Sequence, residues 1–228
     1  MIGVFDSGRG GENAAKLLHS KAPLCDMLLF TDTKNSPFGT KPPERLLRIL
    51  EDGIRLLRYA GCERILLACC TMCTVLPWLS EEYKRGVEEI ISPTARAAAE
   101  ATKNGRIAII ATERTVRSRA FSLSLSGCGG IITAELAAQP LVSIAEMGVR
   151  ECDLPYLDAL AESIKRTEAD TLILGCTHFS SLKSELGLRL PHLKLIDSAD
   201  EGAKRISQAP ECKRGTGKLL KIQTIDYK

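Results

Sequence analysis

Apolar positions along the chain fall into two kinds of run. Short, densely apolar stretches occur at Ile2–Asp6, Met27–Thr31, Arg64–Cys69, Glu88–Ile91, Arg106–Ala111, Gly130–Thr133, Thr171–Cys176 and Leu193–Ile196. Runs of this length with little polar alternation predict strands buried on both faces. Between them, apolar residues recur at helical spacing. Pro43–Tyr59 carries Leu46, Leu47, Leu50, Ile54 and Leu57 on one face, with Gly61 where a helix stop belongs. Pro155–Thr167 repeats the design with Leu157, Leu160, Ala161 and Ile164. Strands alternating with such helices predict βαβ units and an α/β fold with mainly parallel sheets. A last strand is predicted at Lys218–Thr224.

Two strand-like runs end in matching fashion. Ile65 to Cys69 is followed by Cys70-Thr71, and Leu172 to Cys176 by Thr177-His178. The first strand ends at Asp6-Ser7, 63 residues before Cys69. Arg106–Ala111 ends at Thr112, 64 residues before Cys176. Both halves run strand, helix, strand, long helix, strand and cysteine. Two readings stand: generic recurrence of βαβ units, or two pseudo-symmetric lobes with Cys69 and Cys176 on opposite walls of one cleft. The second divides the chain into residues 1–92 plus 198–228 and residues 93–197. Ser92-Pro93 is then the expected hinge, since proline disfavours helix at the residue before it. Asp197-Ser198 is the expected return point.

Composition narrows the class. In 228 residues, 44% are hydrophobic and 26% charged, as in a globular domain with a sizeable core. No apolar run approaches a membrane span, and no secretory leader is expected. A formal charge of +3, with basic residues spread among acidic ones, predicts no nucleic-acid surface. Nine cysteines, an odd number with several in apolar strand contexts, predict reduced thiols in a cytoplasmic setting, available for chemistry.

The strand ends carry that chemistry. Carboxyl ends of parallel strands border the crevice where open α/β sheets bind ligands. Asp6 ends the first strand and leads into Ser7-Gly8-Arg9-Gly10-Gly11, a turn that suits either an anion cradle or a tight strand-to-helix connection. A second turn, Ser36 to Thr40, borders the same region.

Together these segments resemble the glutamate racemase family, within the aspartate/glutamate racemase superfamily. The resemblance is carried by Ile2 to Gly8, Pro37 to Lys41, Ala68 to Thr71, Thr112 to Ser118, Leu141 to Gly148 around Glu146, and Leu174 to His178. It implies a racemase needing no cofactor and no metal, interconverting L- and D-glutamate for peptidoglycan synthesis, with a homodimer as one assembly. Two thiols would work from opposite faces of Cα, one as base and one as acid. By resemblance Cys69 serves the D-enantiomer with help from Asp6. Cys176 serves the L-enantiomer with help from Glu146 and His178. Asp6, Ser7, Phe38, Gly39, Cys70, Thr71, Thr112, Thr177 and His178 would hold the substrate.

Four positions depart from the family pattern. Cys70 stands where the family has an asparagine, and a thiol replaces an amide poorly as donor and acceptor. Phe38 stands in place of a tyrosine, and Phe179-Ser180 in place of Tyr-Pro. The substrate therefore stays open between glutamate and another amino acid such as aspartate, with a catalytically silent binding protein as a third reading. The C-x-x-C of Cys70 and Cys73 suits a redox pair or buried small side chains. His178 reads as structural or catalytic, and Glu146 as a solvated helix position or a partner for Cys176. His19, His192 and the remaining cysteines read as surface or structural groups.

Overall fold

Alternating strands and helices build two parallel sheets. The computed structural model describes residues 1–128 and 131–224. The first stretch runs β1 (Ile2–Asp6), α1 (Arg9–Lys21), β2 (Met27–Thr31), α2 (Pro43–Tyr59), β3 (Arg64–Leu67), α3 (Cys70–Cys73), α4 (Glu81–Lys84) and β4 (Val87–Glu89). Then come α5 (Ile91–Ala101), β5 (Arg106–Ala111), α6 (Glu113–Ser118), α7 (Ala120–Ser126), β6 (Ile132–Ala137), α8 (Pro140–Met147) and α9 (Leu154–Lys165). The chain closes with β7 (Thr171–Gly175), α10 (Lys183–Arg189), β8 (Lys194–Asp197), α11 (Ser198–Ser207) and β9 (Leu219–Gln223).

One sheet has the order β4-β3-β1-β2-β9 and the other β6-β5-β7-β8. Every pairing is parallel. Read from the opposite edge, the second order is β8-β7-β5-β6, which repeats β4-β3-β1-β2 strand for strand. The repeated spacing in the sequence is thus a repeated topology. β9 returns to pair with β2, as the apolar run at its position predicts.

Three expectations shift. The strand expected at Glu88–Ile91 is β4, Val87–Glu89, because Ile91 already opens α5. Ser92-Pro93 consequently lies in the first turn of that helix and not in an extended hinge. Proline is tolerated there because first-turn amides have no intrahelical acceptor. The Glu89 carboxylate accepts from the amides of Ile91 and Ser92, capping the helix that the Ile90 side chain leaves uncapped. The strand expected at Gly130–Thr133 is β6, Ile132–Ala137; Gly130 itself lies outside the described residues.

Alternation along the central strands decides where the core sits. Ile107, Ile109, Ala111 and Ile173 point to a large cluster shared with the first sheet and with α5 and α11. Ala108, Ile110, Leu172 and Leu174 point to a second cluster under α8 and α9. Successive strand residues face opposite ways, so each strand feeds both. The two sheets are therefore joined through a continuous apolar core. Among the described residues no helix is long and apolar enough to cross a membrane.

Candidate active site

Each sheet reverses strand order once, between β1 and β3 and between β5 and β7. Such a reversal leaves a crevice beyond the carboxyl ends of the two central strands. Asp6 ends β1 and Cys69 follows β3; Thr112 follows β5 and Cys176 follows β7. The four residues occupy equivalent places, and the two crevices meet. Asp6 Oδ2 accepts a hydrogen bond from the Thr177 hydroxyl at 3.0 Å. The hydroxyls of Thr71 and Thr112 lie 2.9 Å apart, and Thr112 also meets Thr115 at 2.9 Å.

Asp6 is 1% exposed, and its Oδ1 accepts from the Gly8 amide at 2.9 Å and from the Ser7 hydroxyl at 3.4 Å. Burial raises its pKa above the ordinary carboxylate value, opposed by the charge of His178 and by its hydrogen bonds to Gly8 and Thr177. The Cys69 thiol is buried beside it. Burial first, then the negative charges of Asp6 and Cys176, push its pKa well above the ordinary thiol value. That direction favours the thiol form of Cys69.

Cys176 has a different neighbour. Its Sγ lies 3.7 Å from Nδ1 of His178, and Nε2 of that ring lies 3.2 Å from Glu146 Oε1. Burial alone would discharge the imidazole, but Cys176 and Glu146 on its two nitrogens outweigh it and raise its pKa to about 11. The Glu146 carboxyl moves the other way, lowered chiefly by its hydrogen bond to His178. At neutral pH the ring is an imidazolium, with a donor for each partner. Glu146, projecting from α8, is the exposed end of this chain of contacts.

The remaining expected residues divide. Phe38 is buried, and its ring meets Phe5 edge-on at 6.4 Å, so the side chain packs in the core of the first sheet. Gly39 faces the other half of the chain: a Cβ there would stand 3.0 Å from Gln139 Oε1. Cys70 Sγ donates to the Ser198 hydroxyl at 3.4 Å, while Cys73 Sγ donates to the Leu67 carbonyl at 3.5 Å. The two thiols of the C-x-x-C therefore serve different partners. Burial pushes both pKa values well up, which suits packed thiols better than a redox pair. Among the described residues no group of three or more His, Cys, Asp or Glu side chains could hold a metal ion.

Several site residues escape sequence reasoning. Arg9 donates to the Glu146 carbonyl oxygen, and Asn13 Nδ2 donates to the Thr177 carbonyl at 3.2 Å. Gly10 and Gly11 carry a packing role. A Cβ on Gly10 would come 2.1 Å from Thr177 Oγ1, and one on Gly11 2.6 Å from Asp6 Cβ. Their adjacency in the opening turn was the one signal, and close approach is its meaning here. Ser198 and Gln139 had no local signal.

Comparison with known proteins places this geometry. A family described as Asp/Glu/Hydantoin racemase matches residues 24–206. The chain is 34% identical over 225 residues to a glutamate racemase of Geobacter metallireducens, covering 96% of this chain and 82% of that protein. The fold superposes on a glutamate racemase isoform from Bacillus anthracis with a TM-score of 0.89 at 26% identity, covering 99% of this chain and 89% of that one. It also superposes on the glutamate racemase of Thermus thermophilus, solved with β-chloro-D-alanine, with a TM-score of 0.81 at 30% identity, covering 99% and 88%.

Proposed function

The chain belongs to the Asp/Glu/Hydantoin racemase family, and from that premise we propose that it interconverts L- and D-glutamate with two thiols and no cofactor. It is an amino-acid racemase of the glutamate racemase type, hence an isomerase. The observation that carries the finer reading is the unequal pair of strand-end thiols, Cys69 beside Asp6 and Cys176 beside His178 and Glu146.

Inversion at Cα needs a proton removed from one face and another delivered to the opposite face. Cys69, buried and protonated, is the acid of the resting site. Cys176, facing the imidazolium, is the base that takes the Cα proton of the L-enantiomer. After one turnover the proton lies on Cys176 and Cys69 is the thiolate, ready for the D-enantiomer. Asp6 and His178 set the resting state, Asp6 favouring the Cys69 thiol and the His178 cation the Cys176 thiolate, and the proton transfers through Cα exchange the two. Polar groups of Ser7, Thr71, Thr112 and Thr177, with backbone at Phe38 and Gly39, hold the substrate's carboxylates and ammonium. The reaction is assigned to the cytoplasm, where thiols stay reduced, and its product to peptidoglycan synthesis. The proposal includes a homodimer, which light scattering after size exclusion reads directly.

Cys70 supports a second reading, the same chemistry on another amino acid such as aspartate. Its thiol is engaged by Ser198 and offers a substrate no amide. Circular dichroism of L- and D-glutamate and of L- and D-aspartate separates the two. Decay of both glutamate signals supports the first reading; decay of aspartate alone establishes the second. Binding without decay of either pair would leave a silent binding protein.

The pairing itself has a sharper test. In deuterated solvent, Cys69→Ala abolishes racemisation but leaves Cα exchange of the L-enantiomer through Cys176. Cys176→Ala leaves exchange of the D-enantiomer alone. Each racemisation rate falls by about 10²–10⁴-fold or more, as for loss of a general acid or base. Full exchange of both enantiomers in either variant sinks the two-thiol assignment.

A further inference from the structure

Away from the cleft, the Sγ atoms of Cys25 and Cys212 lie 2.9 Å apart. That is inside the contact distance of two unbonded sulfurs, and short of a bond of roughly 2.05 Å by less than an atomic radius. Both side chains are buried, Cys25 completely. Cys25 closes the turn after α1, its amide bonded to the Ala22 carbonyl at 2.9 Å, just before β2 begins. It therefore borders the amino edge of the first sheet, whereas Cys69 follows the carboxyl edge. The five residues of β2 separate those edges by about 17 Å. Cys212 lies in the turn after α11, its amide on the Ala209 carbonyl at 3.0 Å, and leads into the segment that ends in β9.

Other contacts hold the same two segments together. Asp26 Oδ1 accepts from the Thr216 amide at 2.8 Å, the Thr216 hydroxyl at 3.1 Å and the Lys218 amide at 2.9 Å. Gly217 has φ +79° and passes so close to the Pro23 carbonyl that a Cβ would lie 2.2 Å from its oxygen. Backbone, carboxylate and thiol pair thus fasten one turn, residues 22–26, to one returning segment.

We propose that Cys25 and Cys212 are a covalent modification site, a reversible disulfide that staples the C-terminal segment to the turn before β2. The oxidant is a low-molecular-weight disulfide. Cys25 donates its S–H toward Cys212, and that hydrogen bond favours the Cys212 thiolate, so Cys212 attacks first. Its thiolate bonds one oxidant sulfur and expels the other, which leaves as a thiol carrying the proton Cys212 gave up. The Cys25 thiolate then displaces the second small thiol, which takes up the Cys25 proton. Each cysteine loses one electron and the oxidant's S–S bond gains both. Burial raises the pKa of both thiols, so the exchange proceeds through opening of the C-terminal turn and is slow.

The unaltered chain is incubated with oxidised glutathione, alkylated, digested and mapped by mass spectrometry. The expected product is a peptide pair joined through Cys25 and Cys212, lighter by two hydrogens and restored by dithiothreitol. Oxidation also raises Tm by about 5–10 °C, a rise missing from Cys25→Ser and Cys212→Ser. Alkylation of both residues after full exposure, or a separate glutathione on each, overturns the proposal. Because the mapping uses the natural chain, its outcome does not depend on either variant folding.

Discussion

At the scale of single residues, the two strand-end thiols differ by their neighbours. Burial and, after it, the charge of Asp6 raise the Cys69 pKa, while His178 sets a positive charge against Cys176. That charge has a consequence for stability. His178 titrates near 6.5 when unfolded and at about 11 in the fold, so its folded charge stabilises fully below pH 6.5. The contribution declines as pH rises from there and is gone above about 11. The Tm advantage of the natural chain over His178→Asn should therefore shrink steadily between pH 6.5 and 10. A flat difference across that window would falsify the imidazolium assignment. Glu146→Gln should act in the same direction, since it removes one of the groups, with Cys176 and Asp6, that raise the histidine. His178 was legible beside Cys176-Thr177, but its pairing with Glu146 was not. The two are separated by 32 residues, and the contact exists only once α8 packs over the turn that follows β7.

At the scale of elements, α1 is the piece whose position matters most to the site. Its first turn runs between Asp6 and Thr177, two side chains from different sheets, and glycine is what lets it pass. Gly10→Ala forces a methyl to 2.1 Å of the Thr177 hydroxyl oxygen, in a backbone region where a neighbour must move. The expected cost is roughly 1–3 kcal/mol of stability, as for overpacking, with a fall in kcat/KM as Thr177 leaves Asp6. Gly127→Ala, which meets nothing within 4 Å, is the control and should leave Tm almost unchanged. Equal Tm values for the two variants would show that the helix does not need its close approach. The strands themselves were largely legible, because five or six consecutive apolar residues have no other stable home. Their ends were less so: β4 gives way to α5 early, since the Glu89 carboxylate supplies a cap that favours helix at Ile91.

At the scale of the whole molecule, side chains from the two sheets already touch across the crevice. Asp6 holds Thr177, Thr71 meets Thr112, and Arg9 reaches the Glu146 carbonyl. A substrate must replace some of these contacts with its own charges, so binding couples to the closed arrangement. Ligand at about a hundredfold excess over its Kd should raise Tm by about 5–10 °C, read by differential scanning fluorimetry. Glutamate giving this rise and aspartate none would favour the glutamate reading; the reverse order would favour the alternative. The sequence alone determined the parallel α/β class, both cysteine-bearing strand ends and the repeated order of elements. Those follow from local apolar patterning, and local patterning is a property of neighbours in the chain. Only the tertiary structure decided that Asp6 faces Thr177, that Cys70 turns to Ser198, and that Cys25 lies against Cys212. Each of these contacts joins residues more than a hundred positions apart, and such distances are closed only when the two sheets pack together and the chain returns through α11 and β9 to the first.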